Sequence, residues 1–201
     1  NLSESGPHFP AFDISNSSYI DELVTRSRYV SAIDPRRPDK QRTTLLTNLL
    51  PRIQNLVRPD TYIDYHLKVG RRLRDLGQDN LAVSAFERAL KKAEDLGYTG
   101  SATEASTLLA EQYGKAKNWE KASQYADKAA TNLGNELFTP GGLSDAKMKE
   151  KSDEVVAVSV EAHIKSNNPE KALEMLSQSQ QAQTASMQLS SNKEAVKASK
   201  E

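Results

Sequence analysis

The sequence predicts an all-α protein built as a stack of antiparallel helix hairpins, an α-solenoid. Three observations carry this expectation. First, small and bulky residues recur in one register: Gly70, Leu73, Ala82, Phe86 and Ala89 are matched 40 positions later by Ala110, Tyr113, Ala122, Ala126 and Ala129. Second, Asn118-Trp119-Glu120-Lys121-Ala122 returns a further 50 positions on as Asn168-Pro169-Glu170-Lys171-Ala172. Third, apolar residues step by three and four, and no segment alternates as a strand would. A recurrence of this length marks structural units that cannot bury an apolar face alone and must stack to do so. Such a stack is expected to hold a partner rather than transform a substrate.

The elements follow in order. Residues 1–17, with Gly6, Pro7 and Pro10, form an irregular lead-in. Ser17 or Ser18 caps a first helix that carries Ile20, Leu23, Val24 and Val30 inward, and Pro35 and Pro38 stop it. A second helix spans about 41–57, striped by Leu46, Leu49, Leu50, Ile53 and Val57. Pro51 predicts a kink or break inside it, and Pro59 ends it. This pair, 18–58, lacks the register and is expected to cap the open end of the stack. The repeats occupy 59–180. Their first helix runs from about 61 to 76 and stops at Gly77; its partner is capped by Asp79 and closed by Gly97. Ser101-Ala102-Thr103-Glu104 reads as a capping box that opens the next helix. Asn118 caps a helix to about Leu133, and residues 134–144, around Thr139-Pro140-Gly141-Gly142, form an inserted loop. Ser144 caps a long helix to about Ser166. Asn168 and Pro169 restart the chain as a further helix. Residues 181–201 form a polar tail rich in Gln, Ser, Ala and Lys.

These residues resemble the tetratricopeptide repeat, a family of antiparallel helix pairs. The five positions quoted in each of the first two units match its preferred small and bulky sites. The resemblance covers residues 61–133 well and 144–180 weakly: Leu176 fits the third unit, whereas Ser179 departs from it and no glycine or alanine holds its first small site. The family period is about 34 residues, so periods of 40 and 50 require longer helices or larger connections.

The resemblance implies a concave groove lined by the first helix of each pair. The facing positions are Asp64, Leu67, Arg71, Arg74 and Asp75, then Glu104, Thr107, Glu111 and Lys115, then Glu154, Ala157 and Glu161. Of these, Asp64, Leu67, Arg71, Arg74, Glu104, Thr107, Glu111 and Lys115 are the candidate partner-binding residues, a mixed-charge face for a peptide. One subgroup of the family grips acidic chaperone tails with a lysine and asparagine clamp. The matching positions here hold Leu67, Arg71 and Leu108, so that partner is not implied. The expected function is a noncatalytic scaffold or adaptor for a protein or peptide, with no cofactor. The alternative is a regulatory or sensor segment of a larger protein or enzyme, in keeping with a chain that begins at Asn1 without methionine.

Other chemistry finds little support. Lys and Arg total 27 and Asp and Glu total 27, so no net field draws the chain to nucleic acid or an anionic membrane. No apolar run approaches the ~20 residues that span a bilayer. There is no cysteine for thiol catalysis or thiolate metal sites; by itself this does not decide the compartment, and the balance leans to the cytoplasm. His8, His66 and His163 lie far apart, with no neighbour at metal-ligand spacing, and His66 and His163 suit helix packing. No phosphate loop or nucleophile elbow occurs. Arg71-Arg72-Leu73-Arg74 reads as a surface balanced by Asp64, Asp75 and Asp79, and the group Arg36, Arg37, Lys40 and Arg42 is a short linker cluster. Trp119 is expected as a staple at a hairpin turn. Asn1-Leu2-Ser3 and Asn16-Ser17-Ser18 fit the N-glycosylation pattern, which matters only in a secretory pathway. The exposed ends of such a stack allow self-association.

Overall fold

The structure is a computed structural model that describes residues 17–137 and 145–180. The lead-in 1–16, residues 138–144 of the inserted loop and the tail 181–201 lie outside the described residues, and with them Asn1, His8, Asn16 and Ser144. Every regular element among the described residues is a helix: α1 Ser17–Ala32, α2 Asp39–Ile53, α3 Pro59–Asp75, α4 Asp79–Leu96, α5 Thr99–Lys115, α6 Trp119–Leu137, α7 Asp145–Lys165 and α8 over 169–180. From α1 to α7 each helix packs on its sequence neighbours, and α7 also reaches past α6 to touch α5. The result is an all-α solenoid of stacked hairpins.

The turns show why the register repeats. Gly77, Lys117 and Asn167 occupy one turn position, and all three are left-handed, with φ of 71°, 57° and 63°. In each turn the next residue donates its N–H to a carbonyl five residues back, Gln78 to Leu73, Asn118 to Tyr113 and Asn168 to His163, each at 2.8 Å. This bond satisfies a carbonyl at the helix end and reverses the chain. The following helices then start alike. Asn118 Oδ1 accepts the Lys121 N–H at 3.2 Å and Asn168 Oδ1 accepts that of Lys171 at 3.3 Å. Gly97, with φ of 69°, closes α4 in the same manner, its neighbour Tyr98 donating to Ala93 O at 2.9 Å.

Packing follows the small residues. Ala82, Ala89, Ala122, Ala126 and Ala129 are all buried. Gly70 meets the Phe86 ring so closely that a Cβ there would stand 2.5 Å from Phe86 Cε1. The space above Gly70 is thus filled by a ring of the facing helix. Trp119 lies half-buried against Gly114, to which an added Cβ would bring contact at 3.2 Å, and beside Ala110, Ala122, Ala126 and Ala162. It is the expected staple. Tyr113 and Tyr125 stack at 5.4 Å with planes 3° apart, and both hydroxyls donate to Glu87.

Several expectations are corrected. α1 turns Ile20, Leu23 and Val30 outward; its inward face is Thr25, Tyr29 and Ala32. The Tyr29 ring meets Tyr65 edge-on at 5.8 Å, and that contact, with Ala32 at the buried end, sets the helix's rotation. α2 keeps Pro51 inside it but ends at Ile53, four residues short of the expectation, and Pro59 opens α3 instead of closing α2. Proline lacks the N–H an interior turn needs but suits a first helical position. Asp79 is the first residue of α4 and not its cap; its carboxylate takes Lys115 Nζ at 2.9 Å and Gln112 Nε2 at 3.3 Å. The capping box does not form: α5 begins at Thr99, and Glu104 turns to Arg71. α6 runs through Gly134 to Leu137.

Two stability changes are expected from these contacts. Ala82→Leu and Ala122→Leu overpack buried crossings and should each cost roughly 1–3 kcal/mol in urea denaturation; silence at both positions would mean the register is wrong. Lys117→Gly relieves a left-handed backbone that a side chain disfavours, and it should raise stability by about 1 kcal/mol.

Candidate partner-binding groove

α5 is the middle of the stack. Its first half is rich in small residues, and Ala102, Thr103, Ala105, Ser106, Leu109 and Ala110 are all buried. Because it is covered by α4, α6 and α7, only one strip of α5 opens to solvent, and a groove runs along that strip. α3 forms one wall, α5 the floor and α7 the other wall, around a cavity of about 460 Å³. Arg71 comes from α3, Gly100, Ser101, Glu104, Thr107 and Leu108 from α5, and Lys147, Glu150, Lys151 and Glu154 from α7. The volume falls within the range of small-ligand and peptide clefts.

The charges alternate in sign across the groove. Arg71 Nη2 lies 2.8 Å from Glu104 Oε1, and one turn further Arg74 Nη1 lies 3.0 Å from Glu111 Oε2. These two pairs tie α3 to α5. On the far side Lys151 Nζ donates to Gly100 O at 3.0 Å, clipping α7 to the first turn of α5. Burial pushes the Glu111 carboxyl up; Arg74 pulls it back, and the Glu154 charge adds to the rise. The net direction is upward, so desolvation outweighs the ion pair at this end of the groove.

The candidate residues separate into three groups. Arg71, Glu104 and Thr107 line the cavity together, and Arg74 and Glu111 form the pair beside it. Thr107 is almost fully buried, its hydroxyl donating to Thr103 O at 2.9 Å, so it contributes floor rather than an exposed contact. The other three are committed elsewhere. Leu67 is buried in the main core; Asp64 accepts from Lys68 at 2.7 Å; Lys115 holds Asp79 at the start of α4. On α7, Glu154 lines the groove as expected, whereas Ala157 and Glu161 are exposed outside it. Lys147, Glu150 and Lys151 escape the sequence reading because the repeat register points to the middle of α7, and the wall is made by its first turns. The spacing of Lys147, Glu150, Lys151 and Glu154 by three, one and three marks one helical face and could have found them.

Several of the remaining charged groups pair within the fold. Arg72 pairs with Asp75 at 3.5 Å, Arg36 with Asp34 at 2.8 Å, and Arg42 with Asp39. His163 Nε2 meets Asp127 Oδ1 at 3.1 Å between α7 and α6. His66 Nδ1 donates to Tyr62 O at 2.9 Å, so its bare Nε2 lies buried without a partner. Among the described residues no group of three His, Asp or Glu side chains could hold a metal ion, and no helix is long and apolar enough to cross a membrane.

No protein-family model and no curated protein matches the chain. Solved structures do align with it. BtubC from P. vanneervenii gives a TM-score of 0.48 at 13% identity, over 85% of this chain and 75% of that one. A signal-transduction ATPase with numerous domains and a tetratricopeptide-repeat sensor, from Pyrococcus horikoshii, gives 0.48 at 14% identity, over 86% of this chain and 32% of its own length.

His66 makes the stack acid-sensitive. Burial pushes its imidazole down to about 4; the Tyr62 carbonyl opposes the shift and the Arg88 charge reinforces it. The unfolded chain therefore binds a proton near pH 6.5 that the folded chain refuses until about pH 4. Stability is full above pH 6.5 and falls as pH drops through that window, by about 2 kcal/mol between pH 7 and 5. His66→Leu should flatten this part of the curve in urea titrations run at pH 7, 6 and 5. An unchanged slope would show that His66 is hydrated in solution.

Proposed function

We propose that the chain is a noncatalytic adaptor of the tetratricopeptide-like kind, which holds a mixed-charge peptide segment in the groove between α3, α5 and α7. The observation that carries this reading is the alternation of acid and base around one open cavity: Arg71 and Glu104 on one side, Lys147, Glu150, Lys151 and Glu154 on the other. A ligand of one sign would meet as much repulsion as attraction there. A peptide with both signs can exchange its charges for those of the Arg71–Glu104 pair and meet the charges of α7 on the other side, while Leu108 and Thr107 offer a short apolar floor. The noncatalytic part of the reading draws on His66 and His163, both buried in helix packing away from the groove.

The groove is testable with peptides selected from a random display library against the intact chain. Arg71→Glu together with Lys147→Glu should weaken the selected peptides at least tenfold by fluorescence polarisation. Thermal stability should shift by no more than a few degrees, because exposed ion pairs are worth roughly 0–1 kcal/mol. Equal affinity for the variant and the parent would count against this groove, as would turnover of any substrate by the chain alone against the noncatalytic reading.

A further inference from the structure

We propose that α1 is a homodimer interface, and that two copies of the chain pair their first helices antiparallel about a two-fold axis. The starting point is the reversed amphipathicity of α1. Its inward face holds the polar Thr25, while Ile20, Leu23 and Val30 stand 42%, 45% and 58% exposed. With Ser27 these residues follow steps of three, four and three, which is one stripe along the helix. An apolar stripe turned to solvent while a hydroxyl is buried is unfavourable in a lone chain and calls for a cover.

The charges beside the stripe identify the cover. On one flank stand Arg26 and Glu22, the latter also 3.8 Å from Arg58 of the same chain; on the other stand Asp21 and Arg28. In both pairs the acid lies toward the start of α1 and the base toward its end, and both are centred near Val24 and Thr25. An antiparallel copy of the same helix therefore sets Asp21 opposite the partner's Arg28 and Glu22 opposite the partner's Arg26, twice each by symmetry. It also brings Ile20 beside the partner's Val30. A parallel copy would oppose like charges and is disfavoured. A surface whose charges answer themselves after a two-fold rotation is the pattern of an isologous contact. The opposite end of the stack also exposes apolar residues, Ile164, Leu173 and Leu176. Its neighbouring charges Lys171 and Glu174 pair with each other at 3.0 Å, a closer contact than the 3.8 Å between Glu22 and Arg58, and they do not repeat the acid-then-base order on two flanks that α1 shows. The stripe runs from Ile20 to Val30, three turns of the helix, so the interface it gives is small. Pairing should accordingly depend on concentration. No residue lining the groove comes from α1, so the dimer and the peptide site are separable.

Sedimentation equilibrium of the full chain from 5 μM to about 500 μM tests this. The mass should rise from 22.2 kDa to twice that value and stop there. Leu23→Asp with Ile20→Asp should hold the mass at the monomer value throughout, with unchanged helical circular dichroism because both side chains are exposed. Two charge variants, one of which also gives up the exposed Glu22–Arg58 pair, test the pairing itself. Asp21→Arg with Glu22→Arg, and Arg26→Glu with Arg28→Glu, should each be monomeric alone and should form a mixed dimer when combined. A parent chain that stays at 22.2 kDa at every concentration overturns the proposal. So does a dimer that survives the aspartates, a mass that climbs past two copies, or charge variants that fail to pair when mixed.

Discussion

The structure depends on the closeness with which other helices approach α5. A helix flanked by α4, α6 and α7 can have few large side chains, because each would hold a neighbour away. α5 meets that constraint with alanine, serine and threonine through its first half. The hydroxyls of Thr103 and Thr107 turn back to carbonyls of their own helix, to Thr99 O and Thr103 O, and so cost little when buried. The same need for closeness explains Gly70 under Phe86 and Gly114 under Trp119, where a ring lies on bare backbone.

Closeness also decides the electrostatics. Once α3 lies alongside α5, Arg71 falls beside Glu104, and one turn on Arg74 falls beside Glu111. Arg71 and Glu104 are 47% and 37% exposed, so solvent screens the pair and its net contribution is small. That weakness is what a binding surface needs. A partner carrying both signs can displace such a pair at little cost and regain the interaction across the interface. Glu111 differs in degree: burial pushes its carboxyl upward against the pull of Arg74, so this end of the groove is the less solvated one, with the side chain still 35% exposed.

Much of the fold was legible because its signals are local. Gly77, Gly97, Asn118 and Asn168 act on their own turns, and the structure uses them as turn chemistry dictates. Ala82 and Ala122 were legible because a repeat shows the same demand twice. What escaped depends on contacts between distant segments. α1 has a clear apolar stripe, yet the stripe points outward, because Tyr29 finds Tyr65 and Ala32 finds the core. Ser101 through Glu104 has the composition of a cap, but Arg71, thirty-three positions earlier, takes the glutamate. Asp79 likewise serves α5 through Lys115 and Gln112. For the candidate site, Arg71, Glu104 and Glu154 were readable from the repeat register. Leu67, on α3, was misplaced because it packs into the main core, and Lys147 to Lys151 were missed because they precede Glu154, the first third-unit position that the register marks as facing the groove.

That last miss points to what the long period does. In the register of the second unit, where α5 starts 19 residues before Asn118, α7 would start 19 residues before Asn168, at Lys149. It starts at Asp145 instead, one turn earlier, whereas α6 is only one residue longer than α4 and the rest of the longer period falls in the connection. The added turn brings Lys147 to the wall that Glu150, Lys151 and Glu154 already form, where Lys151 fastens to Gly100 O. The departure from the regular period therefore lengthens one wall of the groove and adds a cation to it, at the end where the partner is proposed to bind.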